Sequence, residues 1–284
     1  SEEEQRASML RAAFADPGPN EDPLVRALAY PFHPVSGKSW ETALIVSFPL
    51  HVGEQGTSRH VGAALDRGTI NVRTGDRLIE FPPKPDGTAG VRPVTLVGVR
   101  KLKPGPHTLT VAIATPGTEK IKTSRLEFVV PEVPQGELIV RGPVLARVDP
   151  DAIRMRLEGG EIVENPQLDG LIGDSGAVPL LVTRTAPQDE LIAAWEICVV
   201  KTGAPEGAMV ERRIRADGEI VHRLDPIPLA LEGKKKQACQ SGMDKLPGGT
   251  LGEGRYRFEV AVVAGDEDLA LGLSPFAVSG GKGD

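Results

Sequence analysis

Short β-rich runs recur about every ten residues along this chain, and that spacing narrows its fold more than any other feature. Ala43 to Phe48, Thr69 to Arg73, Leu78 to Phe81, Thr95 to Val99, Leu109 to Ile113 and Leu126 to Val130 follow one another in the first half. Glu137 to Val140, Ala152 to Leu157, Leu180 to Val182, Ala194 to Val200, Val210 to Arg215, Ile220 to His222, Arg255 to Val263 and Pro275 to Val278 repeat the scheme in the second. Many are apolar at every second position, the period of a strand with one buried face. Even spacing of short strands belongs to a sandwich or barrel. No long helical pattern separates them, which excludes a parallel βαβ sheet. Asp217-Gly218 stands between two β-rich runs and predicts a tight hairpin.

One helix is predicted, over residues 2–15. Glutamates open it, Met9, Leu10, Ala13 and Phe14 form an apolar stripe at helical spacing, and Asp16-Pro17-Gly18-Pro19-Asn20 stops it. Pro131 to Gly136 reads as a linker. The expected architecture is all-β: a helix and linker over 1–22, then two tandem immunoglobulin- or fibronectin-like β-sandwiches over 23–133 and 134–284. The final glycine-rich residues 280–284 read as a tail.

An internal repeat supports duplication. Leu102 to Ile113 aligns without a gap on Leu251 to Val262, 149 residues downstream, and each copy is followed by a turn and a strand carrying Phe, Phe128 or Phe276. In each copy a Leu lies under the loop, a Gly (Gly105, Gly254) permits a sharp corner, and a tall side chain (His107, Tyr256) starts the next strand. That is the pattern of a tyrosine corner, in which Tyr256 hydrogen-bonds back to the corner backbone and His107 takes the same place in the first copy. Trp40-Glu41 and Trp195-Glu196 also recur, each before an apolar strand, and both tryptophans read as structural core residues.

The order of these features resembles a known family. A helix ending in Leu10-x-x-Ala13-Phe14, a Pro/Asp break, Leu24 to Tyr30, an apolar strand, Leu102-x-Pro104-Gly105 before Leu109 to Ile113, and a close at Phe128 to Pro131 look like the region following the von Willebrand factor A domain in bacterial "VWFA-related" secreted proteins. Leu251-x-x-Gly254-Arg255-Tyr256 resembles their terminal sandwich. The metal-binding Asp-x-Ser-x-Ser loop of the A domain does not occur, so the resemblance implies the downstream sandwich pair without metal-dependent adhesion.

Composition sets further bounds. Hydrophobic residues make up 40% of the 284 and aromatics only 4%, so the cores must be built mainly of Val, Leu, Ile and Ala. The formal charge of -6 lacks the basic footprint that nucleic acid requires. Lys234-Lys235-Lys236 is the one sharp basic run and reads as a solvated strand end or loop. No apolar stretch approaches the length of a membrane span. The chain opens Ser1-Glu2-Glu3-Glu4, as a processed mature chain or a fragment of a longer one would. Cys198 and Cys239, 41 residues apart, fit either a disulfide between neighbouring strands in an oxidising compartment or two reduced buried thiols.

Catalytic signals are thin. Gly173-Asp174-Ser175-Gly176 resembles the nucleophile segment of chymotrypsin-like proteases, but His33, His51, His60 and His107 lack the sequence context of the matching base, and the string also reads as a turn. The histidines, His222 included, are isolated from one another, which offers no zinc spacing. Gly265 to Asp268 and Asp149-Pro150-Asp151 read as acidic hairpin tips before they read as calcium loops. The sequence therefore predicts a non-catalytic protein without a cofactor, acting outside the cytoplasm as a scaffold or subunit that binds protein partners in a larger envelope assembly. The competing expectation is a carbohydrate- or calcium-binding accessory module of a secreted enzyme.

Overall fold

The computed structural model describes residues 2–18, 21–35, 37–67, 70–149, 151–156, 177–179, 184–200, 205–234 and 237–280. Among the described residues, one helix, α1 (Glu2–Ala15), precedes eighteen strands. The first seven are β1 (Arg26–Val35), β2 (Ser39–Val52), β3 (Thr57–Arg67), β4 (Ile70–Phe81), β5 (Gly90–Leu102), β6 (Gly105–Ala114) and β7 (Ile121–Val130). They continue as β8 (Leu138–Val148), β9 (Ile153–Arg156), β10 (Ala177–Pro179), β11 (Arg184–Thr185), β12 (Leu191–Val200) and β13 (Met209–Ala216). The last are β14 (Glu219–Pro228), β15 (Glu232–Lys234), β16 (Gln237–Leu246), β17 (Gly254–Ala264) and β18 (Glu267–Val278). The fold class is all-β, two tandem immunoglobulin-like sandwiches with a short N-terminal helix.

Residues 1–30, 43–131 and 151–159 form one compact unit, and 31–42, 132–150 and 160–284 form the other. A single cut at 133/134 thus misses two segments: 31–42 group with the second unit and 151–159 with the first. The second of these follows from backbone pairing, because β9 adds to β5 in parallel, Ile153 opposite Val94.

The sheets that carry the first unit run β1-β2-β5-β9 and β4-β3-β6-β7, with residues 31–35 of β1 and 39–42 of β2 grouping with the second unit. Phe48 of β2 meets Phe81 of β4 edge to face, with centroids 6.3 Å apart, so aromatic contact joins the two sheets. Leu10 and Ala13 of α1 bury against Ala112 and Ala114 of β6, with Phe14 and Ile121 packed beside them. In the second unit the sheets run β10-β8-β12-β16-β15 and β11-β18-β17-β13-β14. Trp195, Ile197, Val210, Ile214, Phe258, Val260 and Phe276 share one core, supplied by both sheets. Each such fully buried side chain stabilises by about 1.5–3 kcal/mol.

The duplication extends to topology. β1-β2-β5 corresponds to β8-β12-β16, and β4-β3-β6-β7 to β14-β13-β17-β18. The repeated sequence segment falls on β6 and β17, the same strand of each sandwich.

Some local expectations change. Ile70 to Arg73 and Leu78 to Phe81 are one strand, β4, because the intervening residues pair continuously with β3; Thr69 lies outside the described residues. β3 and β16 give weak sequence signals, being rich in Ala, Gly, Gln and Ser, and pairing on both sides makes them strands. β18 begins at Glu267, well before the expected Pro275. Ser175 and its neighbours, Leu180 to Val182, Lys235, Lys236 and residues 281–284 lie outside the described residues.

Candidate functional site

The two corners are built alike. His107 donates Nε2–H to the Lys103 carbonyl at 2.9 Å and stacks on Phe128 with centroids 5.5 Å apart. Tyr256 donates its hydroxyl to the Gly252 carbonyl at 3.0 Å and stacks on Phe276, also at 5.5 Å. The glycines serve different ends. Gly105 has φ of 121°, where an L side chain is strained. At Gly254 a Cβ would lie 3.2 Å from the Tyr256 hydroxyl, so the glycine lets the ring close over the corner. These four residues position loops and carry no reactive group into a cleft.

Trp40 and Trp195 are both buried to 1% exposure, one in β2 and one in the equivalent strand β12. Each lies inside its strand rather than ahead of it. The Arg141 guanidinium sits 4.9 Å from the centroid of Trp40, close enough for a cation–π contact. Trp195 donates Nε1–H to Asp244 at 2.8 Å, and the buried Arg212 donates Nε–H to the same carboxylate at 3.2 Å. Neither tryptophan offers a face to a sugar ring.

Cys198 and Cys239 are bonded. They stand directly opposite each other on β12 and β16, with Cα atoms 4.1 Å apart, the close spacing of a cross-strand pair. The bridge joins neighbours within one sheet, unlike the inter-sheet bridge of antibody domains. Glu196, two residues before Cys198, shares its face of β12 and is buried. His33 reaches this face from β1 and donates Nδ1–H to Glu196 Oε1 at 3.3 Å. Gln237 donates its amide to His33 Nε2 at 2.8 Å, and Ser241 donates its hydroxyl to Glu196 Oε1 at 3.1 Å. Burial pushes the His33 pKa down, but the hydrogen bond and charge of Glu196 outweigh it, so the net shift is upward. Sequence spacing could not bring His33 to this cluster, since it lies 163 residues from Glu196.

The outer face of the β13–β17–β18 sheet carries a second constellation. Glu259 accepts from Nε of Arg213 at 2.8 Å and of Arg215 at 2.9 Å, and Arg257 lies at 2.9 Å. Arg213 also pairs with Asp268, and Glu211 lies 3.0 Å from Arg223. Desolvation pushes Glu259 up, yet the hydrogen bonds and charges of Arg213 and Arg215 bring its pKa below the ordinary glutamate value. Beside this network Leu269, Leu271 and Leu273 project from β18 at 38%, 44% and 47% exposure. Ala270, Gly272 and Ser274 between them point inward, so the leucines form one outward stripe. Among the described residues, the outer edge of β18 is paired only at Ala277 and Val278, by β11. The Leu-x-Leu-x-Leu alternation was readable in the sequence; its outward direction was not.

The acidic loops face cations. Asp268 pairs with Arg213, Asp149 with Arg147 at 3.5 Å, and Asp151 with Lys84 at 3.4 Å. No described helix is long and apolar enough to cross a membrane.

No protein-family model matches the chain, and no curated protein matches it. Among solved structures it is similar to red sea bream transglutaminase, at 10% identity and a TM-score of 0.25, over 95% of this chain and 33% of that one. It is also similar to trypsin-activated α2-macroglobulin from Escherichia coli, at 12% identity and a TM-score of 0.24, over 89% of this chain and 16% of that one. The native conformation of E. coli α2-macroglobulin gives 12% identity and a TM-score of 0.23 over 92% of this chain and 16% of that one. The chain therefore spans a third or less of the length of each of these proteins.

Proposed function

We propose that this chain is a non-catalytic, extracytoplasmic interaction module that docks a protein partner on the outer face of its second sandwich, as a scaffold or subunit of a larger assembly. The observation that carries this reading is the stripe of Leu269, Leu271 and Leu273. Among the described residues, three of the nine exposed large hydrophobic ones project side by side from one strand. Scattered single leucines on a surface need no explanation, whereas an aligned set beside a fixed charge network is the composition of an interface core and rim. The arginine stems and Glu259 are held by mutual ion pairs, so little side-chain entropy would be lost on docking. The disulfide fits an oxidising compartment. The accessory-module alternative gains no comparable observation: both tryptophans are buried, and Asp268, Asp149 and Asp151 face cationic side chains. On this reading the chain would act as the sandwich pair downstream of an A domain.

The test is a comparative pull-down from the native source, followed by mass spectrometry. The native chain is set against a variant carrying Leu269→Ser, Leu271→Ser and Leu273→Ser. Stoichiometric partners recovered with the native chain and lost with an equally stable variant support the reading. Recovery as a lone monomer, or partners indifferent to the three leucines, removes it.

A further inference from the structure

We propose that the disulfide face of the second sandwich is a redox-gated metal site: on reduction of Cys198–Cys239, the two thiolates, His33 Nδ1 and the Glu196 carboxylate bind one zinc ion. The inference is independent of the docking face. One ligand atom from each of these four residues lies within 4.8 Å of the others. His33 Nδ1 is already 3.9 Å from Cys239 Sγ and 3.3 Å from Glu196 Oε1. Tetrahedral zinc with ligands at about 2.0–2.3 Å sets its donors roughly 3.3–3.8 Å apart, so these two spacings are nearly those of the bound state. The sulfurs must move apart to that distance by side-chain rotation once the bond is gone, and the remaining donors, all within 4.8 Å of one another, close the shell by small shifts.

Strand register makes the set. Glu196 and Cys198 share a face by the two-residue period, and Cys239 and Ser241 stand opposite Cys198 and Glu196 on β16. Two thiolates, an imidazole and a carboxylate form a closed set that suits zinc. The surrounding groups can support either state. In the disulfide form His33 carries its proton on Nδ1, facing Glu196, and Nε2 accepts from Gln237. With metal on Nδ1 the proton moves to Nε2, and a turn of the Gln237 amide presents its oxygen as acceptor. Ser241 orients Glu196 throughout.

The redox step balances with a dithiol as reductant. Cys198 is fully buried and Cys239 only partly, so a reductant thiolate attacks Cys239 Sγ. The S–S bond breaks, a mixed disulfide forms at Cys239, and Cys198 leaves as a thiolate that takes a proton. The second reductant thiol displaces Cys239 and closes its own disulfide; two electrons and two protons have passed to the protein. Zinc then displaces the two thiol protons. A disulfide oxidant reverses the exchange and releases the metal.

The test uses the full chain, reduced with a dithiol, desalted without oxygen and titrated with Co²⁺ as the spectroscopic probe, with Zn²⁺ as competitor. The expected result is one equivalent of Co²⁺ with a thiolate-to-cobalt charge-transfer band, displaced by Zn²⁺ and absent from the disulfide form. His33→Ala should weaken Co²⁺ binding at least about tenfold while the band persists, and Glu196→Gln should weaken it in the same direction. Circular dichroism and a thermal melt of each disulfide-bonded variant show that it is folded. The proposal is overturned by a reduced, folded chain that gives no charge-transfer band, by binding indifferent to both substitutions, or by loss of the strand signal on reduction, since the site needs the sheet register.

Discussion

Tyr256 donates its hydroxyl to the carbonyl of Gly252 at 3.0 Å while its ring lies on Phe276, and 149 residues earlier His107 does the same to Lys103 and Phe128. An imidazole and a phenol solve one geometric problem, the anchoring of a corner that opens the same strand of each sandwich. Tyr256→Phe keeps the stack and removes the bond, at a cost of about 1 kcal/mol. Differential scanning calorimetry should show the second unit melting about 2–4 °C lower. His107→Phe should move the first unit in the same direction. A shift of the wrong unit in either variant would contradict the assignment of one corner to each.

The disulfide closes a loop of 41 residues, which by chain entropy stabilises the folded second unit by about 2–4 kcal/mol. Cys198→Ala with Cys239→Ala should lower the unfolding free energy from denaturant titration by that amount, with a matching fall in the midpoint. Reductant should destabilise the native chain and leave the double variant unchanged. Equal sensitivity of both to reductant would mean that something other than this bridge responds.

Asp244 holds two buried donors from the opposite sides of the core, Trp195 Nε1–H and Arg212 Nε–H. Asp244→Ala strands the Arg212 charge in a buried site, and the expected loss is about 3 kcal/mol. Asp244→Asn retains an acceptor for Trp195 and should cost less. Urea denaturation followed by tryptophan fluorescence separates the two; equal losses would show that the indole bond matters little beside the charge.

Much of the architecture was legible because strand physics is local. The alternation of Leu109 to Ile113 and the Asp217-Gly218 hairpin needed no tertiary information, and the hairpin forms with positive φ at both residues. The corner was legible because it is a compact pattern repeated at a constant offset. β16 was not, since Gln237 to Leu246 has few apolar residues and becomes a strand through its full-length pairing with β12. The group of 31–42 with the second unit was illegible for the same reason: it rests on contacts such as Arg141 to the Pro31 carbonyl, across 110 residues. The disulfide site fell between these cases. The spacing of the two cysteines allowed a bridge, but the approach of His33 is a tertiary fact that no short-range spacing encodes.

The Glu259 network sets the acid limb of stability. Its folded-state pKa is depressed below the ordinary value of 4.5, because Arg213 and Arg215 favour the carboxylate more than burial disfavours it. A depressed carboxylate contributes stability that is fully present above the unfolded value and is lost as pH falls through the folded one, where the unfolded chain has already taken up its proton. Urea midpoints of the second unit should therefore hold steady from neutral pH down to about pH 5 and then fall as acid deepens. Glu259→Gln should be less stable at neutral pH, since it removes one of the two carboxylates that Arg213 shares with Asp268 and the one that is itself buried, and its midpoint should fall less steeply below that range. Parallel acid limbs for the native chain and Glu259→Gln would place the titration that governs acid stability elsewhere in the sheet.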